Sequence, residues 1–419
     1  MTGAERGKQM RMKRLMLAII LGVLAGGLAG CISEFGKVSN KDGESKTVTI
    51  LTEEGLLNRS AERTKNGRET VEFEEDTADT YAYDCLTEME QVWYRDINHI
   101  LGNMLTKQEL SEQGMNGGLD ESSIDRIFQC VLNDHPEYFY VEGYTYTRFT
   151  RLNRTVKLEF SGTYSMTEEE AYARKAEIEQ VVDSIVSGIS KDSSDYEKIR
   201  YVYEYLIRNT WYDLTASDNQ NIYSVFVKKA SVCQGYAKAT QYLLNRLGVK
   251  CTLVAGIVDT GEGHAWNLVQ SDGEYYYVDT TWGDASYIME LPDEGNGQYI
   301  PEINYDYLCI TTEQLLRTHM PGGVVQMPLC DSVKDNYYIR EGVYFTEMDT
   351  QQLWTAFENA AKKGVEDLTI KCADMNVYEE MFHCLIEEQG IFDYMDSTDS
   401  TIIYTRNEKQ LSMTFWLAK

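Results

Sequence analysis

Apolar side chains recur at helical spacing in several parts of the chain. Between Leu86 and Leu101 they fall on one face of a helix, with polar residues between them. Other segments alternate apolar and polar side chains, which is the pattern of a half-buried strand. The helical pattern also covers 122–133, a segment starting at Thr167, 196–207 and 233–247, and the alternating pattern covers 144–148 and 155–160. The chain is therefore predicted to be of the α+β class, with an N-terminal α/β region at 81–190.

The last part of the chain has a pattern of its own. Residues 321–335 contain Pro321-Gly322-Gly323, a combination typical of a boundary between structured segments. After it, the pattern predicts a small C-terminal α/β module at 336–419. Its predicted elements are a strand (337–345), a helix (350–363), a strand (367–373), a helix (377–389) and two strands (401–406 and 410–416).

The N-terminus has the pattern of a targeting segment. Basic residues from Lys8 to Arg14 precede an apolar run from Leu15 to Leu28. The run has about fourteen residues, whereas a membrane-spanning helix needs about twenty, so residues 1–30 are interpreted as a signal peptide. An uncleaved anchor is the alternative. Residues 31–80 are polar and are predicted to form a flexible tether, with a short strand at Thr47–Leu51.

The residues before Cys31, Leu28-Ala29-Gly30, resemble the lipobox of bacterial lipoproteins. This resemblance implies that the chain is cleaved before Cys31 and that a lipid is attached to the thiol of this residue. It implies an extracytoplasmic protein, lipid-anchored to a bacterial membrane. An ordinary signal peptide without lipid attachment is the alternative.

The charge of the chain excludes several classes of function. There are 67 acidic and 39 basic residues, giving a formal net charge of −28. Nucleic-acid binding requires clustered Lys and Arg to neutralise phosphates, so no nucleic-acid partner is expected. Five histidines and the lack of any CxxC pair exclude a zinc-finger array. No metal ion or other cofactor is expected.

Cys233 is the first candidate for chemistry. It precedes a helical pattern that ends near Gly248, and Ser231 with Gln234 fits a capping box that would start the helix at this point. The positive end of the helix dipole favours a thiolate there, which is the nucleophilic form of cysteine. Gly235 is expected to leave room beside the sulfur for the backbone of a substrate. A buried structural cysteine at a helix start is the alternative.

His264 and Asp279 form the second candidate, because Asp272-Gly273 between two strand patterns predicts a hairpin. A four-residue loop at 270–273 would place His264 directly opposite Asp279. A two-residue loop would make them diagonal neighbours, and a three-residue loop would place them on opposite faces. The first two arrangements give an imidazole oriented by a carboxylate, as in a nucleophilic triad. A structural His–Asp pair is the alternative.

The three segments SVCQGYA, GHAWNLV and YYVDTTW occur in this order, and the candidate residues are 31 and 15 positions apart. They resemble the core of the transglutaminase-like superfamily, in particular a bacterial branch related to cytokinesis-associated proteins. The resemblance covers roughly residues 195–320 and implies a transglutaminase-like or papain-like cysteine-enzyme core, with Cys on a helix and His and Asp on adjacent strands. The catalytic domain is predicted at 191–320.

The resemblance also implies roles for individual residues. Cys233 would be the nucleophile, His264 the general base and acid, and Asp279 the residue that orients His264. Gln234 and the backbone N–H of Cys233 are candidates for binding the oxyanion. Trp266 and Trp282 flank the site, where they would shield it, stack on substrate or pack in the core.

The implied activity is acyl transfer through a thioester, as in a cysteine protease, an amidase or a transglutaminase-like acyltransferase. The expected substrate is an amide in a protein or a cell-wall peptide. The best-known transglutaminases have Trp directly after the nucleophile, where this chain has Gln234, and no calcium loop is recognisable. A catalytically silent surface protein that binds protein or glycan is the alternative function, and a thiol redox role for Cys233 is a third.

Overall fold

The structure is a computed structural model that describes residues 45–51, 80–152, 154–284, 301–394 and 402–417. The predicted signal peptide, Cys31 and most of the predicted tether lie outside the described residues. The chain divides into two compact units, Met1–Tyr172 with Gly322–Gln326 and Ala173–Pro321 with Met327–Lys419. Both units contain helices and strands, so the prediction of mixed helix and strand content is confirmed.

The first unit contains a four-stranded sheet in the order β1-β3-β4-β2, with antiparallel pairing throughout. Strand β1 lies in the segment predicted to be a tether, at the predicted short strand. Phe128, Tyr144 and Phe160 form an aromatic cluster, with ring centroids 4.6 Å apart for Phe128 and Tyr144. The elements are β1 (Ser45–Leu51), α1 (Tyr81–Asp84), α2 (Glu88–Gly102), β2 (Gln108–Glu109), α3 (Glu112–Asn116), α4 (Glu121–Asp134), β3 (Val141–Arg151) and β4 (Arg154–Tyr164).

Helix α5 (Glu168–Val186) contains the division between the units, after Tyr172. The second unit continues with two helices of similar length, α6 and α7, and a sheet in the order β10-β7-β8-β9. Its elements are α6 (Asp195–Asn209), β5 (Trp211–Tyr212), a π-helical turn (Ser224–Lys228), β6 (Ala230–Ser231), α7 (Cys233–Arg246), β7 (Cys251–Val258), β8 (Gly263–Ser271), β9 (Glu274–Val278), α8 (Thr280–Gly283), a 3-10 turn (Tyr305–Tyr307), α9 (Thr312–Leu315) and β10 (His319–Pro321).

Helix α7 packs on strands β7 and β8 and is buried on almost all sides. Two hydrogen bonds fix it against the β8–β9 hairpin and the residues after it. Asn267 Nδ2 donates to the carbonyl of Ala237 at 2.9 Å, and the hydroxyls of Thr240 and Thr280 are 2.8 Å apart. These contacts determine where the start of α7 lies relative to the strands.

The C-terminal part of the second unit forms a third sheet, in the order β11-β12-β14-β13. Its core contains Phe345, Ile370, Met413 and Phe415. The elements are α10 (Tyr337–Arg340), β11 (Tyr344–Phe345), α11 (Thr350–Lys363), β12 (Asp367–Cys372), α12 (Met375–Phe382), a π-helical turn (His383–Glu387), a 3-10 turn (Gly390–Asp393), β13 (Ile403–Asn407) and β14 (Ser412–Trp416).

Two predictions for this segment are wrong in detail. Residues 337–345 do not form one strand, because the Asn336 side chain accepts a hydrogen bond from the Tyr338 N–H and starts the short helix α10. The helix predicted at 377–389 ends as an α-helix at Phe382 and continues as a π-helical turn. None of the helices in the described residues is long and apolar enough to cross a membrane.

Candidate active site

Cys233 is the first residue of helix α7 and its side chain is partly exposed. The segment before it is held from two sides. Strand β6 pairs in parallel with β5, and the Val232 N–H donates to the carbonyl of Asn219 at 3.0 Å. The helix therefore begins at a fixed point, with Cys233 in its first turn as predicted.

The capping box predicted at Ser231 and Gln234 is wrong. Val232 is the N-cap residue and contributes no side-chain hydrogen bond to the helix. The Ser231 hydroxyl donates to the Asn219 carbonyl at 2.6 Å and lies 2.7 Å from the Ser224 hydroxyl, so it is used to hold the preceding loop. The N-cap residue therefore contributes no side-chain acceptor to the N–H groups of the first turn.

The expectation for Gly235 is also wrong. A Cβ atom at this position would lie 1.9 Å from Ser231 Oγ and 2.9 Å from the Asn219 carbonyl oxygen. The space beside the Gly235 backbone is therefore filled by the loop that precedes Cys233. The glycine lets this loop approach the helix, and it does not provide room for a substrate.

The hairpin that carries His264 has a two-residue loop. Ser271 pairs with Glu274, and Asp272 and Gly273 both have positive φ, at 50° and 86°. Two successive residues with φ > 0 are the type I′ geometry that Asp-Gly favours. Asn267 pairs with Val278, so His264 and Asp279 are diagonal neighbours, as expected for a two-residue loop. The directly opposed pairing of a four-residue loop is not found.

His264 and Asp279 are nevertheless in direct contact. His264 Nε2 lies 2.7 Å from Asp279 Oδ2, and both side chains are buried. Asp279 is the N-cap residue of helix α8, and its Oδ1 accepts hydrogen bonds from the N–H groups of Thr281 and Trp282 at 2.9 and 3.1 Å. The helix cap therefore fixes the carboxylate whose other oxygen orients His264.

The Cys233 side chain interacts with the imidazole of His264 and contributes to its raised pKa. Because Nε2 of the ring faces Asp279, Nδ1 is the nitrogen available to the thiol. The three residues thus form one series, Cys233–His264–Asp279, and the described structure brings together the three predicted catalytic residues.

The electrostatics of the series favour a protonated imidazole. Burial of the ring lowers the pKa of His264, but the Asp279 carboxylate and Cys233 outweigh this effect and raise it to about 10. Burial raises the pKa of Asp279, but the charge of His264 and the hydrogen bonds of His264 and His319 hold it well below the usual range. The carboxylate is therefore ionised, and it stabilises an imidazolium beside the sulfur.

The two tryptophans surround the imidazole. Trp266 is fully buried, and its ring stacks on that of His264 with centroids 5.9 Å apart. Trp282 is partly buried and lies 5.8 Å from the same ring. Trp266 is therefore a packing residue, whereas Trp282 reaches the surface beside the site. Gln234 is partly exposed at the second position of α7, about 100° around the helix axis from Cys233.

A fourth polar residue, His319 on strand β10, belongs to the site and was not predicted from the sequence. Its Nε2 lies 3.0 Å from Asp279 Oδ2, the same oxygen that contacts His264. The ring is buried against Trp282 and Trp266, with centroids 4.6 and 4.9 Å away. Only the pairing of β10 with β7 brings it there, and no local sequence pattern indicates that pairing.

His264, Asp279 and His319 have their ligand atoms within 4.8 Å of one another, which raises the question of a metal site. The contacts of 2.7 and 3.0 Å are hydrogen-bond distances. Ligand atoms around a tetrahedral zinc ion at about 2.0–2.1 Å lie roughly 3.3 Å apart. The arrangement fits protons between these atoms better than a metal ion, so we interpret the three residues as a hydrogen-bonded group.

Comparison with known proteins finds a family model that matches the part of the chain containing this site. Residues 180–280, which include Cys233, His264 and Asp279, match the model of the Transglutaminase-like superfamily. The human kyphoscoliosis peptidase is 26% identical over 129 residues, which are 27% of this chain and 20% of the human protein. The mouse kyphoscoliosis peptidase is 25% identical over 169 residues, 36% of this chain and 25% of the mouse protein. The chain thus spans about a quarter or less of the length of these relatives.

Among solved structures, a crystal structure of a TGase aligns with 36% of this chain and 46% of its own, at 18% identity and a TM-score of 0.25. The match of the family model covers the start of α7 with Cys233, strand β8 with His264, and Asp279 directly after β9. The chain therefore contains a transglutaminase-like superfamily domain.

Proposed function

We propose that this protein is a cysteine enzyme that cleaves or transfers amide bonds through a thioester on Cys233. The observation that carries the proposal is the buried contact of His264 with Asp279, on a ring whose other nitrogen is available to a cysteine at a helix start. The substrate class we propose is an amide in a protein or in a cell-wall peptide.

The chemistry follows from the protonation of the series. The Cys233 thiolate attacks the carbonyl carbon of the amide, and the carbonyl π electrons move to oxygen. The uncapped N–H groups at the start of α7 donate to this oxyanion. His264 then gives its proton to the nitrogen, the C–N bond breaks with its electron pair leaving on the amine, and a thioester remains.

The second half of the reaction restores the enzyme. Neutral His264 removes a proton from water or from an amine, and the resulting nucleophile attacks the thioester. The sulfur leaves as a thiolate and regains the imidazolium as its partner. Asp279 stays ionised throughout, since two N–H groups hold its Oδ1 and the imidazole nitrogens hold its Oδ2.

The location of the enzyme is a separate part of the proposal. The basic residues, apolar run and Leu28-Ala29-Gly30-Cys31 support an exported lipoprotein whose lipid on Cys31 anchors it to a bacterial membrane, outside the cytoplasm. The three sequence segments of the site support a relation to the cytokinesis-associated branch of the superfamily. Labelling of cells with a radioactive fatty acid tests the anchor. A lipid on Cys31 predicts that the wild-type protein is labelled and that Cys31→Ser is not.

The reaction is tested by trapping the thioester. The full-length protein would be incubated with a glutamine-containing peptide and, separately, with a cell-wall stem peptide, and its peptides analysed by mass. When the wild type is quenched with acid during turnover, we expect an acyl adduct on Cys233, and we expect none in Cys233→Ser. Monodansylcadaverine added to the wild type would become attached to the peptide in a transferase, whereas a hydrolase would release the acid.

A non-enzymatic binding protein would give a different result. If no adduct forms with either peptide and Cys233→Ser binds both as tightly as the wild type, the domain is a binding scaffold. Retained affinity without turnover is what a catalytically silent surface protein would show.

A further inference from the structure

The C-terminal sheet sends two fully buried polar side chains toward the catalytic domain. Lys371 on β12 and Gln410 before β14 are both inaccessible to solvent. Lys371 Nζ lies 2.9 Å from Asp306 Oδ1 and 3.4 Å from Gln410 Oε1. Burying an ammonium and an amide is costly unless both are paired, so these contacts fix the orientation of Gln410.

A continuous series of hydrogen bonds leads from Gln410 to the active site. Gln410 Nε2 donates to Thr318 Oγ1 at 3.4 Å and to the carbonyl of Gln314 at 3.3 Å. Thr318 Oγ1 lies 2.8 Å from His319 Nδ1. His319 Nε2 then contacts Asp279 at 3.0 Å, and Asp279 contacts His264. Every side chain from Gln410 to His264 is buried.

The direction of these bonds is set at the Lys371 end. An ammonium can only donate, so the amide oxygen of Gln410 faces Lys371 and its NH₂ group faces Thr318. The Thr318 oxygen accepts from this group, which leaves its own proton available to His319 Nδ1 at 2.8 Å. With Nδ1 accepting, the neutral ring carries its proton on Nε2 and donates it to the Asp279 carboxylate.

We propose that Thr318, His319 and Gln410 are positioning residues that hold the Asp279 carboxylate within hydrogen-bonding distance of His264. Through them, the C-terminal module supports the active site. This inference rests on the proposed function, because it assigns a supporting network to the same Cys233–His264–Asp279 series. None of the three residues touches the reacting atoms. They act by keeping the carboxylate ionised and its Oδ2 aimed between the two imidazoles.

The titratable groups around this network come from several elements. His264 on β8 faces Asp279 at the start of α8, Cys233 on α7 and the ring of His319 on β10. Asp279 also feels Tyr203 of α6, and the Tyr307 ring packs on His319 while its hydroxyl reaches Thr318 and Gln410. The acid–base response of Cys233 therefore reports on the whole group.

The test compares two substitutions at Thr318 in the full-length protein. Thr318→Val keeps the shape of the side chain and removes the hydroxyl, whereas Thr318→Ser keeps the hydroxyl and removes a methyl group. The probe is iodoacetamide, and the rate of Cys233 alkylation is followed against pH by peptide mass. Thermal unfolding is recorded for each variant, so that a change in reactivity is separated from a loss of folding.

We expect Thr318→Val to move the pH midpoint of Cys233 alkylation up by about one unit, which lowers the rate below the midpoint about tenfold. Thr318→Ser should stay within about twofold of the wild type, because the hydroxyl is retained. A purely structural role would reverse this order, since Ser leaves a cavity and Val does not. A midpoint in Thr318→Val that equals or lies below that of Thr318→Ser overturns the inference.

A second variant covers the case in which Thr318→Val does not fold. Gln410→Glu is nearly isosteric and keeps a partner for Lys371. Its carboxylate can only accept a hydrogen bond from Thr318, which reverses the donor and acceptor roles along the hydrogen bonds between residue 410 and His319. We expect the same upward shift of the midpoint, and an unchanged midpoint overturns the inference. If the wild type itself alkylates slowly and His264→Ala has the same profile, the proposed function fails instead, so the two failures are distinguishable.

Discussion

His264 and Asp279 meet through a buried contact of 2.7 Å between Nε2 and Oδ2, although they are not opposite each other on the hairpin. Asp279 reaches His264 because it has left the strand and caps helix α8 with its other oxygen. The carboxylate is thus fixed by backbone N–H groups at one side and positions an imidazole at the other. Orientation of His264 and initiation of α8 depend on the same side chain.

Substitution of Asp279 separates these two roles. Asp279→Asn retains an oxygen that can cap α8 but removes the charge that stabilises the imidazolium, so the protein should fold and Cys233 alkylation at neutral pH should fall roughly 10- to 100-fold. Asp279→Ala removes the cap as well and should lower the free energy of unfolding by about a further 0.5–2 kcal/mol relative to Asn. Urea denaturation and iodoacetamide labelling measure the two effects. Equal stability of the Asn and Ala variants would contradict the capping role.

The stability contributed by His264 should decrease as the pH rises. Its pKa is raised from 6.5 to about 10 in the folded protein, mainly by Asp279 against the opposing effect of burial. A raised pKa means that the folded state binds the proton more tightly, so the contribution is complete below pH 6.5 and is lost as the pH rises through about 10. The difference in unfolding free energy between wild type and His264→Gln should therefore shrink over this window.

His383 provides a matched control for that measurement. It pairs with Glu387 on an exposed helical turn, with its side chain 57% exposed. Solvent screens this pair, so His383→Gln should leave the pH dependence of unfolding unchanged. A difference between wild type and His264→Gln that stays constant from about pH 6 to pH 10 would contradict the charged state assigned to His264.

Gly235 should be intolerant of a side chain. The methyl group of Gly235→Ala would displace Ser231 Oγ or the Asn219 carbonyl, and such overpacking costs about 1–3 kcal/mol. Because both groups hold the residues before Cys233, labelling of the thiol should slow as well. Gly263→Ala, also beside the site, meets no atom within 4 Å and should change both quantities little. Comparable effects of the two substitutions would contradict the packing assigned to Gly235.

The Lys371–Asp306 pair should be important for folding, because both side chains are buried. Lys371→Met leaves a buried carboxylate without its cation, and removing one partner of such a pair costs about 3–5 kcal/mol. Asp306→Asn in the same chain should recover part of this loss. Lys409→Met breaks a pair with Asp259 in which the lysine is 63% exposed, and it should cost at most about 1 kcal/mol. Urea denaturation of the four proteins tests the ranking, and equal losses would contradict it.

Local patterns in the sequence predicted the parts of the site that local chemistry determines. Asp272-Gly273 adopts the two positive φ values that shorten the hairpin to two residues, and the apolar pattern before Gly248 marks helix α7. The start of this helix was predicted for the wrong reason, since Ser231 holds the loop at Asn219 and does not cap. A serine hydroxyl can cap the N–H groups of a helix or donate to a carbonyl of a nearby loop. Only the tertiary structure decides which of the two hydrogen bonds forms.

Long-range pairings could not be predicted in this way. His319 is 40 residues from Asp279 in sequence, and its position depends on the pairing of β10 with β7. Gln410 is farther still, at 92 residues from Thr318. No periodicity within a window of ten or twenty residues carries such information, so the sequence alone does not place His319 beside Asp279.

The most direct test of an activated nucleophile at Cys233 compares the alkylation of Cys233 with that of Cys85 in the same full-length protein. Cys85 is an exposed thiol whose pKa is raised by partial burial and by Asp134, so it serves as an internal control without an imidazole partner. Both rates would be followed against pH by peptide mass in wild type and His264→Ala. We expect Cys233 to react faster than Cys85 at and below neutral pH, and we expect His264→Ala to remove this advantage while leaving Cys85 unchanged. Equal rates in the wild type, or a Cys233 profile unaffected by His264→Ala, would contradict an activated nucleophile.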